Sequence, residues 1–320
     1  MAEAAREHDV SVNGVTLRVT EQGTGPLVLL CHGWPELAYS WRHQLPALAA
    51  AGFRVAAPDM RGYGRSEAPP GIEQYSVLHM VGDMVGLVSA LGETEAVIVG
   101  HDWGASIAWT SAMMRPDLFR AIAALSVPHR ARPPAPPLAT LRKSGITRFY
   151  QQYFQEPGVA EAEFERDIAT TMRRILGAGG FGDQDRSDQV MIVPEGGFLE
   201  LLRYPETLPA WLTERDLAVM TENFSRSGFR GGLNYYRNID RNWELTGPWQ
   251  GARIMQPALF IGGTKDVVLH PKFGGPALQA MPRMVPNLRK MVMLEGAGHW
   301  VQQERPEEVN AALVEFLRGL

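Results

Sequence analysis

The feature that most constrains this 320-residue chain is an alternation of two patterns. Short apolar runs, "VTLRVTE" (15–21), "PLVLLCH" (26–32), "RVAAPD" (54–59), "AVIVG" (96–100) and "AIAALSV" (121–127), are separated by stretches with helical spacing. After a long gap the runs resume with "PALFIGG" (257–263) and "VMLEGAG" (292–298). A strand that is apolar along nearly its whole length is buried on both faces, so helices must cover both sides of a mostly parallel sheet. Helices are expected at about 40–51, 77–91, 103–115 and 306–319. The fold class is therefore α/β.

The gap has its own composition. "PHRARPPAPPLAT" (128–140) is too rich in proline to continue a helix or a central strand and reads as a stiff connector. Residues 141–245 then look mostly helical, with "LTERDL" placing Thr213 three residues before Asp216 as in a capping box. "GAGGFGDQDRSDQ" (177–189) reads as a mobile loop. Because strands resume afterwards, the expected organisation is a core over 1–130 and 246–320, with a helical lid over 131–245. Ligands of open α/β sheets bind at the carboxyl ends of the strands, and that is the edge such a lid covers.

Net charge is −4 and no run of Lys or Arg stands out, which argues against nucleic acid and anionic membranes as partners. The single cysteine, Cys31, excludes an intramolecular disulfide and reads as a small core residue. "MAEAAREHDV" lacks the apolar core of a signal peptide, and no apolar stretch is long enough to span a bilayer, so a cytoplasmic location is expected. No cluster of His, Asp and Glu has metal spacing and no G-x-G-x-x-G follows the first strands; neither metal nor cofactor is expected. Whether the chain pairs with a second copy, as a homodimer, stays open.

The chemistry centres on "VGHDWGAS" (99–106), a small-residue turn between a strand and a helix. Gly100 and Gly104 flank Asp102 at minus two and plus two, as a sharp elbow that pushes one side chain into a cleft requires. The amides of the following helix point at the same place and favour negative charge there. G-x-D-x-G alone is weak evidence, but Asp266 in "GGTKDVV" and His299 in "GAGHWVQQ" each follow a late apolar run. The order nucleophile, acid, histidine is that of the hydrolase triads built on this elbow. Taken singly, Asp266 reads as a cap and His299 as a loop residue; their joint position and order favour catalysis. "CHGWPE" (31–36) ends another strand at the same edge. It reads equally as an oxyanion hole, from the Trp34 and Trp103 amides, or as an ordinary Gly-Pro turn compatible with a cis Trp34–Pro35 bond. His32 and His101 read as residues that fix backbone turns.

With these residues in place, the chain resembles the epoxide hydrolases of the α/β-hydrolase superfamily, in particular the hydrolase domain of the soluble enzymes. "SWRHQLPAL", "DMRGYGRSEAP", "GHDWGA", "YFQEPGVAEAE", "YPETLPAWLTE", "NYYRNIDRNWEL" and "GHWVQQERPEEVN" carry the likeness along nearly the whole length. The additional phosphatase domain of the two-domain mammalian enzymes has no counterpart here, so that activity is not implied. The resemblance implies two lid tyrosines that hold the epoxide oxygen. "FYQQYFQEPG" matches at Tyr150 and "LNYYRN" at Tyr236, with Tyr153 and Tyr235 as neighbours expected to pack. It also implies an epoxide and water as the partners.

An aspartate suits that reaction. The electrophile is a saturated ring carbon, and attack by serine would leave an ether that no oxyanion hole helps to hydrolyse. Attack by a carboxylate leaves an ester, which water opens at its carbonyl. The rival readings are a haloalkane dehalogenase, which uses the same nucleophile without the tyrosines, and a non-catalytic binding protein of the same fold. The tyrosine pair and Trp34 disfavour the first, and the intact triad disfavours the second.

Overall fold

The computed structural model describes residues 4–178, 191–271 and 273–320. The stretch 177–189 read as a mobile loop lies almost wholly outside the described residues. Among the described residues, eight strands form one sheet in the order β1-β2-β4-β3-β5-β6-β7-β8. They are β1 (Arg6–Val12), β2 (Val15–Gln22), β3 (Leu27–Cys31), β4 (Arg54–Pro58), β5 (Ala96–His101), β6 (Phe119–Leu125), β7 (Ala258–Gly263) and β8 (Leu288–Leu294). From β4 through β8 every pairing is parallel, and β1 and β2 add an antiparallel hairpin at one edge. Helices α1 (Gln44–Ala50), α2 (Val77–Ala90) and α3 (Trp103–Met114) alternate with the early strands. Between β6 and β7 the chain leaves the sheet and builds α4 (Pro137–Lys143), α5 (Tyr150–Tyr153), α6 (Val159–Phe164), α7 (Ile168–Gly177), α8 (Glu214–Ser227), α9 (Arg230–Arg237) and α10 (Ile239–Leu245). Helices α11 (Gly275–Met284), α12 (Val301–Glu304) and α13 (Pro306–Arg318) complete the fold.

Successive residues of a strand point to opposite faces, and the central strands are apolar on both. In β3, Val28 and Leu30 join Leu45 and Leu48 of α1 and Leu313 and Phe316 of α13 in one core. Leu27, Leu29 and Cys31 join Met84 of α2 and Ile107 of α3 in another. The second core runs on into the inserted helices through Trp34, whose ring lies 5.2 Å from Phe154. Burial pushes the Cys31 thiol up to about 12, so it is a neutral core group.

Polar contacts tie the insertion to the sheet. The Tyr39 hydroxyl donates to Asp216 at 2.8 Å, and Arg42 pairs with the same carboxylate at 3.1 Å. Asp216 also closes the capping box with Thr213 that begins α8, as the spacing predicts. Gly231 of α9 lies so close to Gly62 that a Cβ there would collide with the Gly62 backbone.

Three expectations need correction. The N-terminal strand β1 was not anticipated, because its outer half is exposed and polar. Asn13 and Gly14, both at positive φ, form the turn into β2, and Asn-Gly between alternating apolar residues is the signal that reveals such a hairpin. The last strand is Leu288–Leu294 rather than 292–298: it is an edge strand whose start, "LRK", faces solvent, while residues 295–298 form the turn before His299. The helix expected over 40–51 divides into a 3-10 turn, Ala38–Trp41, and α1.

Candidate active site

Asp102 stands at the end of β5 and immediately before α3, with φ 53 and ψ −118. Few residues adopt that backbone, and the surroundings enforce it. A Cβ at Gly100 would strike the Gly104 carbonyl, one at Gly104 would strike the Cys31 carbonyl, and one at Gly33 would strike Asp102 itself. The two glycines of G-x-D-x-G are thus needed for contact between turn, helix and neighbouring strand.

The parallel sheet brings the ends of β3, β5, β6, β7 and β8 to one edge. There the Trp34 amide donates to Asp102 Oδ1 at 2.8 Å, across a cis Trp34–Pro35 turn. His299 Nε2 lies 3.6 Å from Asp102 Oδ2, while its Nδ1 sits 3.1 Å from both oxygens of Asp266. Trp103 opens α3, so its N–H is among those without an intrahelical acceptor. The structure therefore brings Asp102, Asp266, His299 and Trp34 into one contiguous group.

His299 is buried, which alone would lower its pKa, but Asp266 and then Asp102 raise it well above the ordinary 6.5. The imidazolium is held between two carboxylates. The sign follows directly: removing either negative charge should bring the titration down. In nitrogen-correlated NMR spectra, Asp102→Asn should lower the His299 midpoint and Asp266→Asn should lower it further. An unchanged midpoint in both variants would show that neither carboxylate supports the charge.

Tyr150 and Tyr236 lie across the cleft with ring centroids 5.8 Å apart. Burial, and after it the nearby Asp102 charge, pushes both phenols up, so both keep their protons at neutral pH. Gln151 Nε2 donates to the Tyr150 hydroxyl at 3.1 Å, and the Trp103 and Tyr236 ring centroids lie 5.1 Å apart. Their neighbours are committed elsewhere: the Tyr153 hydroxyl donates to Glu163 at 2.8 Å and that of Tyr235 to the Arg61 carbonyl at 3.0 Å. Asp102, Trp103, Tyr150 and Tyr236 line a cavity of about 380 Å³.

One buried group was missed. Glu36, fully enclosed, accepts from His101 Nδ1 at 2.6 Å, the Gly33 amide at 3.1 Å, Gln302 at 2.9 Å and Gln303 at 3.1 Å. Burial opposes its charge, but His101 beside it draws the carboxyl down to about 2. His101 Nε2 meets the His299 carbonyl at 2.8 Å, and Ser126 donates to the same oxygen at 2.8 Å. Both ring nitrogens of His101 thus face oxygens, one on Glu36 and one on the backbone at residue 299, which fixes the ring between the two loops. His32 does similar work nearby, with Nε2 accepting the Met60 amide at 2.8 Å. The available signal for Glu36 was an acidic residue inside an otherwise apolar, turn-forming "HGWPELA".

A family model described as the alpha/beta hydrolase fold matches residues 26–306, which agrees with the sheet order and the strand-to-helix elbow. Within that fold the likeness is more specific. Epoxide hydrolase A of Mycobacterium tuberculosis is 48% identical over 323 residues, covering 99% of this chain and 98% of the relative. Epoxide hydrolase 1 of Siraitia grosvenorii is 43% identical, with 98% of each chain covered. The crystal structure of Epoxide Hydrolase A from Mycobacterium thermoresistibile superposes with a TM-score of 0.94 at 48% identity, covering 99% of both chains. The chain belongs to the epoxide hydrolases of the α/β-hydrolase fold.

Proposed function

We propose that the enzyme converts epoxides to vicinal diols in two steps, through an ester formed on Asp102. The observation that carries this reading is the position of the Asp102 carboxylate. It has the Trp34 amide on one oxygen and His299 near the other, and it opens onto a cavity that Tyr150 and Tyr236 also line.

In the first step an Asp102 oxygen attacks a ring carbon as the carbon–oxygen bond of the epoxide breaks. The leaving alkoxide is much more basic than a phenol, whose pKa is about 10, so Tyr150 and Tyr236 can hydrogen-bond it and one can supply its proton. Esterification then cancels the Asp102 charge. One of the two anions that raise the His299 pKa is gone, so the imidazolium passes its proton to the tyrosinate and the neutral ring can then take a proton from water. Asp266 keeps the imidazole oriented and supports the cation that forms.

In the second step that water attacks the ester carbonyl, and the oxyanion rests on the Trp34 and Trp103 amides. His299 returns its proton to the departing diol oxygen. The acid proton left on Asp102 passes to His299 as the carboxylate re-forms, which restores the imidazolium and closes the cycle. The helical segment over 131–245 acts here as a lid that carries the tyrosines and excludes bulk water.

Oxygen labelling tests the scheme. With excess enzyme in isotopically labelled water, the diol from a single turnover should be unlabelled and the label should enter the peptide containing Asp102. A labelled first diol with an unlabelled peptide would mean direct attack by water, leaving Asp102 an electrostatic bystander.

A further inference from the structure

Tyr235 and Tyr236 are adjacent in α9, so they leave the helix about 100° apart. Tyr236 faces the cavity, whereas Tyr235 does not line it and meets the segment that follows β4. The Tyr235 hydroxyl, which burial keeps protonated, donates to the Arg61 carbonyl at 3.0 Å. Gly62 and Gly231 touch through their backbones, and a Cβ on either would strike the other. The Tyr63 ring lies 5.5 Å from that of Tyr235, and its hydroxyl fills the space that a Cβ on Gly232 would need. Residues 61–63 are thus a seat for α9.

That seat is itself anchored. Arg61 makes a buried bidentate pair with Asp83 of α2, at 2.8 and 2.6 Å, and Asp83 also accepts from Asn13 at 2.9 Å. Bidentate pairing fixes direction as well as distance, so the Arg61 carbonyl is a rigid point for α9 to bond. Tyr150 hangs from a different anchor: Phe149 beside it stacks at 5.6 Å on Phe273, outside the inserted helices. The two phenols therefore reach the cavity from separate supports. A side-chain tip on a helix sits about 6 Å from the axis, so a rotation of about 10° moves it by about 1 Å. A misplacement of that size can cost about 10²-fold in rate.

We propose that Tyr235 is a positioning residue: its hydrogen bond to the Arg61 carbonyl sets the rotation of α9 and so places the Tyr236 hydroxyl at the epoxide oxygen. The inference rests on the epoxide-opening reading above and adds to it a residue outside the cavity. Packing alone does not call for the hydroxyl, since phenylalanine would keep the ring contacts with Tyr63, Tyr75 and Trp103.

In a His299→Gln background the scheme stops at the ester, so the rate at which intact protein gains one substrate mass reports ring opening alone. Adding Tyr235→Phe should slow that rate by about 5- to 20-fold. Added to Tyr236→Phe it should change the rate by less than about twofold, because the hydroxyl that it places is gone, whereas added to Tyr150→Phe it should keep its full effect. The thermal midpoint should fall alike in every background, since the stability lost with the bond does not depend on catalysis. An unchanged rate in Tyr235→Phe overturns the inference. An equal loss with and without the Tyr236 hydroxyl also overturns it, as the mark of a purely structural role. If Tyr236→Phe alone opens epoxide at full rate, or His299→Gln forms no adduct, the epoxide-opening reading fails and this inference fails with it.

Discussion

His299→Gln protein mixed with an epoxide should gain the mass of one substrate molecule and then stop. In the proposed scheme ring opening requires the Asp102 carboxylate and the two phenols, none of which the substitution removes. Ester hydrolysis requires a base for water, and a positioned general base contributes about 10²–10⁴-fold. The two steps should therefore separate: a stoichiometric burst, followed by turnover slowed by that factor, with intact-protein mass reporting the adduct on the peptide that contains Asp102. Glutamine also removes the cation next to Asp102, and rapid mixing compares the rate of the burst with that of wild type. Normal turnover without an adduct would take His299 out of the role of base.

The second large effect should come from the tyrosines. In the same scheme, replacing Tyr150 or Tyr236 alone by Phe leaves one hydroxyl on the epoxide oxygen, and the loss of a single donor to a developing oxyanion costs about 10²–10³-fold. Replacing both leaves an alkoxide with no acid, and the combined loss should exceed the product of the single losses, because the two donors serve one oxygen. Ring opening, rather than ester hydrolysis, should fail, so the double variant should form no adduct. Thermal unfolding of each variant separates this effect from loss of the aromatic cluster, in which the Tyr236 ring lies 5.0 Å from Phe154. A fully active double variant would remove the tyrosines from the mechanism.

What was legible in the sequence follows from burial. The central strands β3 to β7 are enclosed on both faces, so their apolar runs stand out with ends displaced by no more than two residues. The elbow was legible for a different reason. Gly100 and Gly104 are steric necessities, and a necessity of that kind leaves a fixed spacing around Asp102. The edges of the sheet were less legible because β1 and the start of β8 alternate or face solvent and carry no continuous apolar signal.

Glu36 was hidden by its partners rather than by its own identity. An acidic residue in a turn looks like surface until His101, Gln302 and Gln303 are seen around it.

The Glu36 cluster also has a consequence for the order in which the protein is built. Its donors lie 65 residues away at His101 and 266 and 267 residues away at Gln302 and Gln303. During vectorial synthesis the elbow at Asp102 can be wound long before the ribosome has read the last fifth of the message. Until then the Glu36 carboxylate lacks its two glutamine donors, and His299 has yet to be made. Loop closure over so long a span is an entropic cost met before its reward arrives, and topologies with such contacts fold slowly. Ribosome-bound nascent chains that display the elbow but end before Gln302 should therefore remain protease-sensitive around Glu36, becoming resistant only once α12 is free to dock.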